Sequence, residues 1–133
     1  MEQEREHPIP VGVAPDGTVS AATPEGTLVV ELSRTRGGFP EVVTSVQMGL
    51  ASSPREVARY PLRQFLALVL RATRAARRRG RARAVLVAAE LPARLRKAQR
   101  LALAKFVRIN FDSMMQIAHA RRRWTPLHSA ITH

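Results

Sequence analysis

The sequence contains no cysteine, and this absence excludes several kinds of chemistry at once. Disulfide bonds, thiolate catalysis and cysteine-ligated zinc sites all require that residue. The four histidines do not replace it, because no two of them have the i, i+4 spacing that places two metal ligands on one helix face. We therefore expect no metal site and no cofactor.

Acidic residues are scarce in the second part of the chain, where only Glu90 and Asp112 follow Glu56. Paired carboxylates for general acid–base catalysis are therefore lacking there. Asp112, Ser113 and His119 are the residue types of a hydrolase triad, but no nucleophile-elbow motif surrounds the serine. No glycine-rich phosphate loop of the Walker or dinucleotide-binding type is present either. The sequence predicts a protein that is not an enzyme.

Long uncharged runs are also missing. The longest, residues 42–54, contains glycine, serine, threonine and glutamine, and it is too short to cross a bilayer. The first ten residues, MEQEREHPIP, are polar and acidic, whereas a signal peptide begins with a basic segment followed by an apolar one. These features predict an intracellular, cytoplasmic protein that does not associate with membranes.

Arginine is the residue that the sequence has in excess. Lys+Arg number 22 against 10 Asp+Glu, a formal charge of +12, and only Lys97 and Lys105 are lysines. Through Glu56 the chain has eight acidic and four basic residues, and from Val57 onward it has two acidic and eighteen basic residues. Guanidinium groups favour bidentate contacts with phosphate. An arginine-rich composition is also expected of a GC-rich genome, so composition alone does not distinguish these two explanations.

The length of 133 residues predicts one domain with a core of its own. We assign residues 1–7 to a disordered acidic tail, 8–124 to a single α+β domain and 125–133 to a C-terminal tail. Within the domain, residues 8–50 are rich in strand signals, whereas residues 53–124 are basic and helical. The predicted fold is an N-terminal antiparallel meander of three to four strands, followed by three to four helices packed on one face.

Turn signals at residues 15–17 and 24–26 separate short segments that have the composition of strands. We predict four strands, at residues 9–14, 18–23, 27–33 and 41–48. After them, Ser53-Pro54-Arg55-Glu56 has the form of a capping box and predicts a short helix that runs toward Arg59. Residues 83–90 fit either a short buried strand or a helical turn.

The stretch at residues 61–80 predicts a helix with two different faces. Its apolar residues recur at steps of three and four, which places them on one stripe. Its arginines fall within about 80° of one another on the opposite side. The apolar stripe contains Leu62, Phe65, Leu66, Val69, Ala72 and Ala76, and the basic row contains Arg63, Arg71, Arg74 and Arg78. One face is expected to be buried while the other presents guanidinium groups to an anionic ligand.

A second amphipathic helix is predicted to begin at Pro92 and to end at Ile109. Good cap residues at 110–113 predict a break there, followed by a last helix from Ser113 to Trp124. The apolar stripe of the second helix contains Leu95, Ala98, Ala102, Phe106 and Ile109, and its basic row contains Arg94, Lys97, Lys105 and Arg108. Two helices joined by a turn also permit a helix-turn-helix interpretation, in which Gln116, His119 and Arg122 would face a major groove.

The two basic rows, together with Arg121, Arg122 and Arg123, are typical of phosphate binding, although a charged helix face is often only solvated. Arg34 and Arg36 add a second feature, because they stand beside Gly37, Gly38 and Phe39 at a predicted hairpin tip. That tip fits a flexible basic arm, an aromatic platform for a base, or an ordinary glycine turn with exposed charges.

From these patterns we predict a non-enzymatic, basic nucleic-acid-binding protein that acts in regulation, replication or packaging, with DNA preferred to RNA. The alternative is an oligomeric structural or adaptor protein, which uses its helices for subunit contacts and its arginines for acidic protein partners. Two long amphipathic helices in so short a chain leave apolar surface uncovered, so we also expect a homodimer or a higher homo-oligomer.

Overall fold

Turn residues and β-branched residues alternate in the first half of the chain, and a computed structural model folds this half into a meander. The structure describes residues 9–49, 53–79 and 91–132. One antiparallel sheet holds five strands in chain order: β1 (Val11–Val13), β2 (Val19–Thr23), β3 (Gly26–Arg34), β4 (Pro40–Gln47) and β5 (Arg55–Pro61). Two helices follow them, α1 (Leu62–Arg79) and α2 (Ala93–Thr132).

The predicted α+β class and its antiparallel meander are confirmed, but the meander has five strands rather than three to four. In the described ranges the helices number two, so the prediction of three to four helices is wrong. The predicted tail at residues 1–7 and the ambiguous segment at residues 83–90 lie outside the described residues. Residues 125–132, predicted as a tail, continue α2 as helix.

The fifth strand replaces the short helix that the capping-box pattern predicts after Ser53. β5 pairs with the free edge of β4, with Tyr60 opposite Val42, and Val57 is the extra residue of a bulge. Glu56 lies within this strand and does not cap a helix. Its carboxylate accepts two hydrogen bonds from Arg59, at 3.0 and 2.8 Å. A tertiary partner, the edge of β4, therefore overrides the local helix signal.

Alternation along the strands directs one row of apolar side chains toward the helices. This row includes Val19, Ala21, Leu28, Val30, Val42 and Val46, all fully or almost fully buried. Helix α2 packs on β2 and β3, whereas α1 packs on β4 and β5. The two helices meet the same core, where the rings of Phe65 and Phe106 lie edge to face with centroids 6.3 Å apart.

The predicted apolar stripe of α1 is confirmed where its side chains are described. Leu62, Phe65 and Leu66 are buried, and Val69 is half-buried against the core. Ala72 and Ala76 belong to the helix, but their side chains lie outside the described part. An amphipathic pattern that covers one side of a helix is thus sufficient to orient α1 on the sheet.

Helix α2 buries Leu95, Ala98, Ala102 and Phe106, as its spacing predicts. Ile109, the last predicted member of that stripe, is 41% exposed, so this assignment is wrong. Asn110 and then Met114 continue the buried side instead. The stripe therefore turns gradually around the helix as α2 passes over the sheet.

The predicted break at residues 110–113, and with it the separate helix that starts at Ser113, is also wrong. The Asn110 side chain does not cap a helix; its Nδ2 donates to the carbonyl of Phe106 at 2.9 Å and to that of Gly17 at 3.0 Å. Both bonds leave the backbone of α2 helical. The amide thus fastens α2 to the β1–β2 turn, and the helix continues without interruption.

Neither helix, as far as its residues are described, contains a segment long and apolar enough to cross a membrane.

Candidate nucleic-acid interface

The basic row of α1 lies on the side of the helix that faces away from the sheet. Arg63, Arg71 and Arg74 are exposed, while Leu62 and Phe65 on the opposite side are buried. Arg78 belongs to the same helix, but its side chain lies outside the described part. The helix carries no acidic residue between Leu62 and Arg79, so no carboxylate of its own balances the row.

The basic row of α2 is also brought to the surface, with one difference. Arg94, Lys97 and Arg108 are exposed, whereas Lys105 is half-buried. Arg100 is exposed as well, although the predicted row does not include it. It stands three residues after Lys97, and this spacing is the sequence signal that could have identified it. Asp112, four residues after Arg108, is exposed and adds an acidic side chain where the row ends.

Not every arginine of α2 belongs to the outward face. Arg96 is half-buried, and its Nη1 donates to the carbonyl of Leu91 at 3.0 Å, which satisfies a backbone acceptor before the helix begins. Arg121, Arg122 and Arg123 lie within α2, with side chains outside the described part.

The helix-turn-helix interpretation is wrong, because it needs a turn at residues 110–113, where α2 is continuous. Gln116, His119 and Arg122 are therefore not on a second, recognition helix. The two outward rows are the surface that the structure retains as a candidate site for nucleic acid.

The exposed basic residues of the two helices have no carboxylate partner in the part of the chain that the structure describes. The ion pairs present there join Arg59 to Glu41 and to Glu56, and they lie on β4 and β5. Arg71 and Arg74 stand three residues apart on α1, and Arg94 and Lys97 repeat that spacing on α2. Like charges at this spacing repel by a few tenths of a kcal/mol per pair.

The ion pairs of Arg59 belong to the sheet face opposite the two described helices. Its Nε and Nη2 donate to the two oxygens of Glu56, and its Nη1 donates to Oε1 of Glu41. These hydrogen bonds lower the pKa of Glu56 and raise the pKa of Arg59. The register places Arg59 beside Val43 and Val43 beside Glu31, so this face holds three carboxylates and one guanidinium group.

The tip of the β3–β4 hairpin, residues 35–39, is an ordered turn. The Thr35 N–H donates to the carbonyl of Phe39 at 2.9 Å, and the Gly38 N–H donates to the carbonyl of Thr35 at 2.9 Å. The hydroxyl of Thr35 accepts from the Phe39 N–H at 3.1 Å, and Arg34 Nη1 donates to the carbonyl of Gly38 at 3.0 Å. Arg34 thus supports the turn, and both Arg34 and Arg36 are exposed.

Within the described ranges, histidine and carboxylate side chains do not cluster into a metal-binding or catalytic site. Among the described residues, no group of three or more His, Asp or Glu side chains is arranged to hold a metal ion. Asp112, Ser113 and His119 all lie on α2, where Asp112 and Ser113 are separated from His119 along the helix. Asp112 and His119 are seven residues apart, which corresponds to about 10 Å of rise.

No protein family model, no curated protein and no solved structure matches this chain. A functional proposal for it therefore rests on the chemistry of its own surface. In the part of the chain that the structure describes, that surface has two unequal parts. Basic groups predominate on the outward side of the helices, whereas acidic groups are joined to Arg59 on the face of the sheet opposite the helices.

Proposed function

We propose that the protein binds nucleic acid without catalysing a reaction, through the outward basic rows of α1 and α2. The observation that carries this proposal is the set of exposed arginines on α1, Arg63, Arg71 and Arg74, which have no carboxylate partner among the described residues. A polyphosphate backbone would relieve their mutual repulsion and would release its condensed counterions. The function is one of regulation, replication or packaging, with DNA preferred to RNA.

The face of the sheet opposite the helices is less suited to this ligand. Glu31, Glu41 and Glu56 outnumber Arg59 there, and Arg59 is already held by two of these carboxylates. A phosphate approaching that face would meet net negative charge, and it would have to compete with a guanidinium–carboxylate pair that is already formed. We therefore place the nucleic acid on the helical side.

The test is the salt dependence of binding. For the wild type, log K for a mixed-sequence oligonucleotide should fall linearly with log salt concentration, by about 0.9 for each duplex phosphate neutralised and about 0.7 for each on a single strand. The triple variant Arg63→Gln, Arg71→Gln, Arg74→Gln keeps good helix formers at exposed positions, so it should fold. Its slope should be shallower by about 0.9 for each duplex phosphate that the variant no longer neutralises. The same titrations on DNA and RNA of one sequence establish the preference between them.

Two further variants show whether the change in salt slope is specific to the arginines of the helices. Arg94→Gln, Lys97→Gln, Arg108→Gln removes the same charge from α2 and shows whether both helices contribute. Arg55→Gln removes one exposed arginine from β5 and is compared with Arg71→Gln alone. The salt slope should become shallower in Arg71→Gln and stay unchanged in Arg55→Gln. If neither triple variant changes the slope, the protein does not bind nucleic acid through its helices.

A second candidate function is favoured by apolar groups on the same helices. Leu70 on α1 is 42% exposed, and Leu101 and Ile109 on α2 are each 41% exposed. A structural or adaptor protein that forms oligomers would cover these side chains in a subunit interface and use its arginines for acidic partner proteins. Such a protein would bind polyanions weakly, and the triple variants would alter the salt slope no more than arginines removed elsewhere.

A further inference from the structure

The two helices run in opposite directions across the same face of the sheet. Helix α1 begins directly after Pro61, which is opposite Glu41 at the end of the sheet next to the β3–β4 turn, and it packs back over β4 and β5. Helix α2 buries Phe106 in the core one turn before Asn110 donates to the carbonyl of Gly17, in the β1–β2 turn at the same end. Helix α1 therefore runs away from this end of the sheet, and α2 runs toward it.

One ring contact fixes how the two helices are aligned along their length. The rings of Phe65 and Phe106 have centroids 6.3 Å apart, so these two positions are neighbours across the helix pair. Because the helices are antiparallel, a residue that follows Phe65 by a given number of positions is level with the residue that precedes Phe106 by the same number. Long side chains on a helix lean toward its N-terminus, so the ends of basic side chains follow the same rule as the two rings.

Exposed basic residues of the two helices form level pairs under this rule. Arg71 is six positions after Phe65, and Arg100 is six positions before Phe106. The other two pairs are equally spaced from the two rings, and they are Arg74 with Lys97 and Arg63 with Arg108. All six of these side chains are exposed. We call these six residues the paired basic rows, because each basic residue on one helix has a level counterpart on the other.

The paired basic rows have the dimensions of a groove in a DNA duplex. Packed helices have axes about 8–10 Å apart, which lies between the widths of the minor and major grooves of B-DNA, about 6 and about 12 Å. The eleven positions from Arg63 to Arg74 rise about 16 Å along the helix axis. This length corresponds to about five base pairs, since successive phosphates of one strand are about 3.4 Å apart along the duplex axis.

The charge between the rows is of one sign along the helices. Residues 62–79 and 93–111 contain no aspartate or glutamate, so no carboxylate within either stretch separates the level cations. A second line of cations beside the first is suited to a ligand with two lines of negative charge. A duplex has one line of phosphates on each side of a groove, whereas a single strand has one line in all.

We propose that the paired basic rows span one groove of duplex DNA, with the row of α1 on the phosphates of one strand and the row of α2 on those of the other. This inference rests on the proposed function and narrows it, because it names the double-stranded form as the ligand and assigns one strand to each helix. The contacts are made to phosphates, so binding is independent of base sequence. A duplex uses both rows at once, whereas a single strand follows one row at a time.

The test compares a mixed-sequence duplex with one of its own strands, in binding titrations at several salt concentrations. A length of about 20 base pairs exceeds the about five that the rows cover. Two triple variants each remove one row, and they are Arg63→Gln, Arg71→Gln, Arg74→Gln on α1 and Lys97→Gln, Arg100→Gln, Arg108→Gln on α2. Each should make the duplex slope of log K against log salt shallower by about 2.7, for three phosphates at about 0.9 each. Each should leave the single-strand slope nearly unchanged, because the other row remains, and the variant with all six substitutions should lose both.

A matched pair of double variants controls for the loss of charge alone. Arg71→Gln, Arg100→Gln removes one level pair, whereas Arg36→Gln, Arg55→Gln removes two exposed arginines outside the helices. The duplex slope should become shallower by about 1.8 in the first variant, for two phosphates at about 0.9 each, and stay unchanged in the second. Circular dichroism of each variant establishes that folded proteins are being compared.

The outcomes separate this inference from the proposed function. A shallower duplex slope in both triple variants, with the single-strand slope kept in each, supports one strand on each helix. If only one triple variant changes the duplex slope, or if the single-strand slope falls as well, the two-strand arrangement is wrong and the proposed function stands. If no variant changes either slope, or if the wild type binds neither form, both proposals are wrong.

Discussion

Two hairpin turns lie at the same end of the sheet, and they are held in opposite ways. The β1–β2 turn is covered by α2, whose Asn110 donates to the carbonyl of Gly17. The β3–β4 turn is held by hydrogen bonds between its own residues and Arg34, and it leaves Phe39 exposed. The first turn therefore contributes to the fold as a whole, whereas the second is ordered locally.

Because of this difference, substitutions in the two turns should have unequal effects on the stability of the domain. The β1–β2 turn fastens a long helix to the sheet, so a change in the turn should be transmitted to the stability of the whole domain. The β3–β4 turn is held by hydrogen bonds among its own residues and Arg34, so loss of one of them should have a smaller effect on the domain.

The largest expected effect comes from adding one methyl group to the β1–β2 turn. Gly17 has φ +92°, and a Cβ atom there would overlap Oδ1 of Asn110. Gly17→Ala should therefore lose about 3 kcal/mol of unfolding free energy, from the unfavourable backbone conformation together with the displaced amide. Urea denaturation followed by circular dichroism measures the loss.

Gly38→Ala is the matched control in the other turn. Gly38 has φ +85°, but a Cβ atom there would meet nothing within 4 Å. The control should lose only the backbone contribution, about 1–2 kcal/mol. Equal losses in the two variants would contradict the distinction between a covered turn and a locally ordered one.

A smaller effect is expected when the amide itself is removed. Asn110→Ala deletes both side-chain hydrogen bonds of a buried residue and leaves the carbonyl of Gly17 without this donor, which should cost about 1–3 kcal/mol. In that background the added methyl group at Gly17 no longer overlaps an amide. The effects of Gly17→Ala and Asn110→Ala should therefore be less than additive in a double-mutant cycle. Strict additivity would show that the two residues are not energetically coupled.

The same contrast between local and distant partners explains which elements could be predicted from the sequence. The buried side of α1 follows from the spacing of Leu62, Phe65 and Leu66 alone, because a helix that packs on one side needs only that pattern. Asn110 and Glu56 could not be assigned in this way. Each has the residue type and spacing of a helix cap. Asn110 instead donates to the carbonyl of Gly17, 93 positions earlier, and Glu56 belongs to a strand that pairs with β4.

Some properties of the candidate nucleic-acid site could also be predicted from the sequence, whereas others depend on tertiary structure. Exposure of Arg63, Arg71 and Arg74 was predictable, because it is the complement of the buried stripe. The absence of carboxylate partners among the described residues depends on where tertiary structure places Glu41 and Glu56. The proximity of the hairpin tip to α1 depends on strand register, which the sequence pattern does not specify when β5 is taken for a helix.

The smallest expected effect is the pH dependence of the β1–β2 turn. The pKa of Asp16 is lowered because its carboxylate accepts a hydrogen bond from the Thr18 N–H, at 3.0 Å. A carboxyl group with a lowered folded-state pKa stabilises the fold above its ordinary pKa of about 3.9, and this contribution is lost as the pH falls through the lowered value. Asp16→Asn should therefore lack this contribution at neutral pH, and its stability should decline less than that of the wild type below about pH 4. The β3–β4 turn contains no carboxylate, so Thr35→Val, which breaks the corresponding side-chain hydrogen bond there, should shift the denaturation midpoint equally at about pH 3 and about pH 7. Denaturation midpoints at the two pH values measure both effects, and a pH-dependent shift in Thr35→Val would show that the tip is coupled to a titrating group elsewhere.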